Sequence, residues 1–123
     1  MTADPDPREA GQQPVPTSWR PILSAIVDSL RGRAAAIPSL DVAPLSPSTA
    51  AQITAYLGDY GETLAPLPPA TWETSICQWS GAHWDVLVDL WTEESGASDL
   101  VLQVEVTPRE DGYLFTVHMV YVP

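Results

Sequence analysis

The chain has 123 residues, enough for one domain in which a body of roughly 105 residues buries a single two-layer core. Its hydrophobic fraction of 45% is ordinary for a globular protein, but 16 acidic residues against 5 Lys plus Arg give a formal net charge of −11. A field of that sign repels phosphate backbones and anionic bilayers, which argues against nucleic acid and membranes as partners and leaves a basic protein, a cation or nothing beyond solubility.

Cys77 is the single cysteine, so the chain holds no internal disulfide and no cysteine-based zinc cluster. The opening "MTADPDPREAGQQPVPTS" lacks the apolar core of a signal peptide. No run approaches the ~18 apolar residues of a membrane span, so the expected setting is cytoplasmic.

Residues 1–17 carry four prolines and almost nothing apolar, and their composition predicts a disordered tail ahead of a single domain over 18–123. A first helix is expected from Ser18 as cap, with Pro21 in the first turn, where no amide donor is missed. Ile22, Leu23, Ile26, Val27 and Leu30 then share one helical face, and Gly32 marks the end unless Ala34–Ala36 add a turn. "IPSLDVAPLSPS" reads as a proline-punctuated connector. A second helix follows from Ser46 with Pro47 at its first position. Its stripe is Ala50, Ile53, Leu57, Tyr60 and Leu64, and Gly58 and Gly61 weaken it toward an end near Asp59.

After Thr71 the pattern turns to strands: "WETSICQW", "WDVLVDLW", "DLVLQVEVT" and "YLFTVHMVYV". Asp111-Gly112 is a preferred pair for a two-residue type I′ hairpin. That turn would set Val106 opposite Val117, Val104 opposite Met119 and Leu102 opposite Tyr121, with Glu105–His118 and Gln103–Val120 between them. The expected fold is therefore α+β, with two N-terminal helices on the aliphatic face of a four-stranded antiparallel meander.

On that reading Asp85 and Asp89 share the opposite face with Glu105 and His118. Carboxylates with an imidazole suit a divalent cation or acid–base work. Residues two apart on one strand face are separated by about 7 Å, however, so Asp85 and Asp89 are too distant to chelate one ion, and alternation alone demands polar residues there. The expectation is a solvated face without metal or cofactor. The turn "TEESGASD" (Glu93, Glu94, Asp99) lacks calcium-loop spacing and reads as an acidic hairpin loop. Trp91 with Leu87 and Val101, joined by Val120, gives an apolar strip beside the acids, which is either a binding face or ground over which the N-terminal connector or the long loops fold. Catalysis by Cys77 with His83 across a hairpin is conceivable, but a buried structural cysteine is the commoner case, and no phosphate-binding or nucleophile-elbow motif occurs.

"YGETLAPLPPATW" followed by "WDVLVDLWTEESGASDL" resembles a group of small bacterial domains of unknown function, common in actinobacteria, over about Tyr60 to Val122. The resemblance implies a single domain in a bacterial cytosol and brings no activity, cofactor or catalytic residue. The ending "EVTPREDGYLFTVHMVYVP" is also similar to the last hairpin of cone-shaped, nuclear-transport-factor-like domains, yet the chain has too little helix for that pattern.

Two functions stay open. One is a non-enzymatic acidic binding module, of inhibitor or immunity type, that meets a basic protein through Asp85, Asp89, Trp91, Glu93, Glu94, Asp99, Glu105 and His118. The other is a small-molecule-binding protein or enzyme with a pocket between helices and sheet, lined by Tyr56, Tyr60, Trp72 and His118.

Overall fold

A computed structural model describes residues 11–32 and 41–123. The first ten residues of the expected tail, and the Ala34–Ala36 extension of the first helix, lie outside them. A short strand β1 (Gln13–Pro14) and a 3-10 turn (Thr17–Trp19) lead into α1 (Arg20–Leu30); α2 (Pro47–Tyr60) follows, then a 3-10 segment (Pro69–Glu73). Strands β2 (Ile76–Trp79), β3 (Trp84–Thr92), β4 (Gly96–Arg109) and β5 (Gly112–Tyr121) complete the chain. The fold is α+β, and the sheet has five strands in the order β1-β2-β3-β4-β5, every pair antiparallel.

The expected count of four strands is thus one short. Gln13 lies opposite Cys77 and Pro14 opposite Ile76, so part of the segment assigned to a tail adds a strand beside β2. Two residues cannot show an alternation, which is why composition hid them. Val15 follows directly and is fully buried.

Ser18 falls inside the 3-10 turn rather than capping α1, whose N-cap is Trp19 without a side-chain bond. The helix still buries the expected face through Leu23, Ile26 and Val27. In α2 the Ser46 hydroxyl accepts the Thr49 N–H at 3.2 Å and Pro47 opens the helix, while Gly61, at φ +80°, ends it. Of the α2 stripe Ile53 is buried within the helix, and Leu64, also buried, lies beyond the helix end, bridged to Thr92. No helix among the described residues is long and apolar enough to cross a membrane.

The inner sheet face carries Trp84, Val86, Val88 and Leu90 from β3 with Leu102, Val104 and Val106 from β4, and they form one core with the helical residues. On β5 the register departs from expectation. The tip of the hairpin is Glu110–Asp111, with Arg109 opposite Gly112. Among the described residues only glycines have positive φ, so Asp111 lacks the backbone that a type I′ turn requires. Val106 therefore meets Phe115 and Val104 meets Val117, a two-residue shift that preserves the faces. Glu105 consequently faces Thr116 rather than His118. Beyond that point a bulge between Gln103 and Val104 leaves His118 without an opposite residue. Alternation flips there, so Val120 enters the core and Met119 turns outward.

The free edge of β5 is covered by the chain itself. Phe115 donates its N–H to the Asp41 carbonyl at 2.7 Å and its carbonyl accepts from Ala43 at 2.8 Å. The Gln52 amide then acts like a strand residue, donating to the Val120 carbonyl at 2.9 Å and accepting its N–H at 3.4 Å. Tyr56 accepts the Val122 N–H at 3.0 Å.

Candidate functional site

The outer face of the sheet holds the acids. Asp85 on β3 lies directly opposite Glu105 on β4, a like-charged cross-strand pair. His83 approaches both from the β2–β3 turn. There Gly81 takes φ +97°, and the Ser80 N–H and hydroxyl both donate to the His83 carbonyl at 2.9 Å. Strand geometry then projects the imidazole over the sheet, with Nε2 3.1 Å from Asp85 Oδ1 and 3.6 Å from Glu105 Oε1. His118, thrown outward by the bulge and 53% exposed, places Nδ1 3.8 Å from the same Glu105 oxygen. Asp85, Glu105 and His118 are therefore brought together, though through the bulge rather than by direct pairing.

Asp89 is not part of this cluster. It faces Val101, and its backbone is fixed by Ser75 and Thr71, whose buried side chains bond its N–H and carbonyl at 3.0 and 2.5 Å. Beside the acids runs an apolar strip. Ile76, Leu87 and Met119 share a row with Gln103, Val101 and Tyr121 share the next, and Trp91 sits opposite Ala97. Ile76, Leu87, Trp91, Gln103, Met119 and Tyr121 are half-buried, Ala97 is exposed, and Val101 is buried outside the main core. Met119 and Tyr121 hold the place expected of Val120. Among the described residues no helix or strand covers this face.

The acidic turn serves the fold. Glu94 accepts the Thr63 N–H at 2.8 Å and the Thr63 hydroxyl at 3.0 Å, and Glu62 accepts the Thr92 hydroxyl at 2.6 Å. Backbone bonds from Glu93 to Thr63 and from Ala65 to Trp91 complete this latch. The Thr63 N–H above all holds the Glu94 carboxyl below its usual range, so its contribution is present above the ordinary carboxylate pKa and is lost as the pH falls. Glu93 and Asp99 are simply exposed.

Two residues of the pocket alternative, Tyr56 and Tyr60, fall together on α2, where with Asp59 they line an open recess of about 320 Å³. Trp72 instead lies under the Arg20 guanidinium at 5.5 Å, and His118 is on the outer sheet face.

Cys77 faces inward and is fully buried, and burial pushes its thiol up to about 11. His83, on the outer face, does not activate it. Thiol reagents are expected to leave Cys77 untouched at pH 8 and to modify it fully in denaturant; rapid native labelling would show that β1 and β2 separate easily. The neutral thiol favours the fold up to its ordinary pKa of 9.0, and this advantage is withdrawn as the pH rises from there toward 11.

His83, weighed from sequence only as a partner for Cys77, belongs instead with Asp85 and Glu105. Its signal is the spacing His83-x-Asp85, since residues two apart in extended chain share a face. No curated protein and no solved structure matches the chain. A family model described as "Domain of unknown function (DUF7668)" matches residues 24–123, so the latch, strands β2 to β5 and the outer-face cluster lie within the matched region while β1 precedes it, and the chain belongs to that family.

Proposed function

We propose that the protein is a non-enzymatic binding module of the bacterial cytoplasm, of inhibitor or immunity type, whose outer sheet face receives a basic protein surface. The observation that carries this is the face that no helix or strand of the described residues covers: a strip of Ile76, Leu87, Trp91, Met119 and Tyr121 lies beside the paired carboxylates of Asp85 and Glu105. Apolar residues at the centre supply the attraction that survives salt, while the acids and the charge of −11 steer a cationic partner and set the register. The pocket reading has weaker support, because its residues are dispersed.

The test is affinity capture from the source organism with immobilised parent, Leu87→Arg and Asp85→Asn/Glu105→Gln proteins, each shown by circular dichroism to be folded. A basic protein retained by the parent, lost with Leu87→Arg, and weakened by the double change or by salt is the expected result. Exposed charges are screened beyond a Debye length of about 8 Å at physiological ionic strength. Equal retention by all three proteins, or no retention by the parent, would overturn the reading.

A further inference from the structure

We propose that His83, Asp85 and Glu105 bind a divalent transition-metal ion, zinc being the natural candidate, on the outer sheet face. This goes beyond the docking role and does not depend on it.

The first support is distance. One nitrogen of His83 and one oxygen each of Asp85 and Glu105 lie within 4.8 Å of one another. An ion with ligand bonds of about 2.1 Å holds its ligand atoms about 3.4 Å apart in tetrahedral geometry. The imidazole nitrogen already stands 3.1 and 3.6 Å from the two carboxylates. Only the carboxylates must adjust, by rotation about side-chain bonds.

The second is charge. Carboxylates directly opposite across two strands repel, and no arginine of the described chain relieves them. Arg20 bonds the Val15 carbonyl, Arg31 bonds Asp28 and the Leu64 carbonyl, and Arg109 lies at the far hairpin tip. A divalent ion with a neutral imidazole and two carboxylates makes an uncharged set. The imidazole also decides the metal class, since calcium and magnesium prefer all-oxygen shells whereas zinc, cobalt and nickel accept nitrogen.

The third is the backbone. Asp85 and Glu105 stand on paired strands in the middle of the sheet, and the Ser80 bonds hold His83 at the turn, so the ordering cost of three ligands falls largely on folding. His118, exposed and set on a bulge beside Glu105, is placed to swing in as a fourth ligand or to orient the carboxylate from behind.

The test uses untagged protein stripped with chelator, metal ions alone, and no partner, so its outcome is separate from that of the capture experiment. Zinc titration by calorimetry and cobalt titration by visible absorption should both show one saturable equivalent, with tetrahedral-type cobalt bands and a melting temperature raised by zinc. His83→Ala and Asp85→Asn/Glu105→Gln should abolish saturable binding, and His118→Ala should weaken it about ten-fold. Millimolar magnesium or calcium should leave the melting temperature unchanged. In the parent, the imidazole resonances of His83 should shift with zinc, a readout that needs no variant to fold. Absence of saturable binding by the parent, undiminished affinity in the variants, or an unmoved His83 resonance would each overturn the proposal.

Discussion

Replacing Trp19 with alanine is expected to lower stability by about 3–5 kcal/mol, a large share of the roughly 5–15 kcal/mol that holds a domain of this size. The indole is 2% exposed and meets Trp84, Tyr113 and Phe115 edge-on at centroid distances of 6.3, 5.1 and 5.9 Å. Its removal opens a cavity where the lead-in to α1 is pinned against two strands. Phenylalanine at the same position should behave differently. Trp19 Nε1 is buried without a hydrogen-bond partner among the described residues, and an unsatisfied donor costs about 1–3 kcal/mol. Trp19→Phe loses volume but also removes that donor, so its denaturant midpoint should lie much nearer the parent's than the alanine variant's does. An alanine variant with an unchanged midpoint would remove Trp19 from the core.

The second large effect concerns the segment just before it. A chain beginning at Thr17 is expected to be less stable than one beginning at Gly11 by several kcal/mol. Burial of Val15 accounts for about 1.5–3 kcal/mol of this. The rest comes from the β1 pairing with Ile76 and Cys77, and from the two Arg20 bonds to the Val15 carbonyl at 3.0 and 3.2 Å. Thermal melts of the two chains measure the difference, at about 3–6 °C per kcal/mol for this length. Equal melting temperatures would mean that the segment contributes no net stability, as its composition alone suggests.

These two cases show where the sequence was readable. Long periodic segments declared themselves: the Leu23, Ile26 and Val27 face of α1, and the Trp84-to-Leu90 and Leu102-to-Val106 faces of the sheet, follow from spacing because burial enforces it. Gln13–Pro14 did not, because two residues hold no period and the strand exists only through β2. The β4–β5 register failed for a local reason. Asp-Gly is a good type I′ pair, yet the turn moved one residue earlier, and the bulge at His118 then reversed the outward set. The same bulge rescued the Glu105–His118 proximity that the wrong register had proposed.

Acidic residues were the least legible. Glu94 reads as surface charge in sequence, but its role depends on Thr63, thirty-one positions earlier, which no local pattern reveals. The wording that marks the family resemblance, "YGET" and "WTEE", is largely the two halves of that latch. Its specificity therefore reports how the chain closes on itself, and the outer-face cluster has to be judged on its own geometry.

The coverage of the outermost strands has a consequence for how this protein can associate. An open strand invites another chain to continue the hydrogen-bond ladder, the route to fibrils and to domain-swapped polymers. Here Gln52, Tyr56 and the Asp41–Ala43 backbone occupy that position along β5, and on the far side β1 offers only two residues, one of them a proline without a donor. Growth by strand addition is hindered along β5 and, on the far side, has only the short β1 to build on. Self-association at high concentration is then expected to proceed face to face, through the side of the sheet that no helix or strand of the described residues covers.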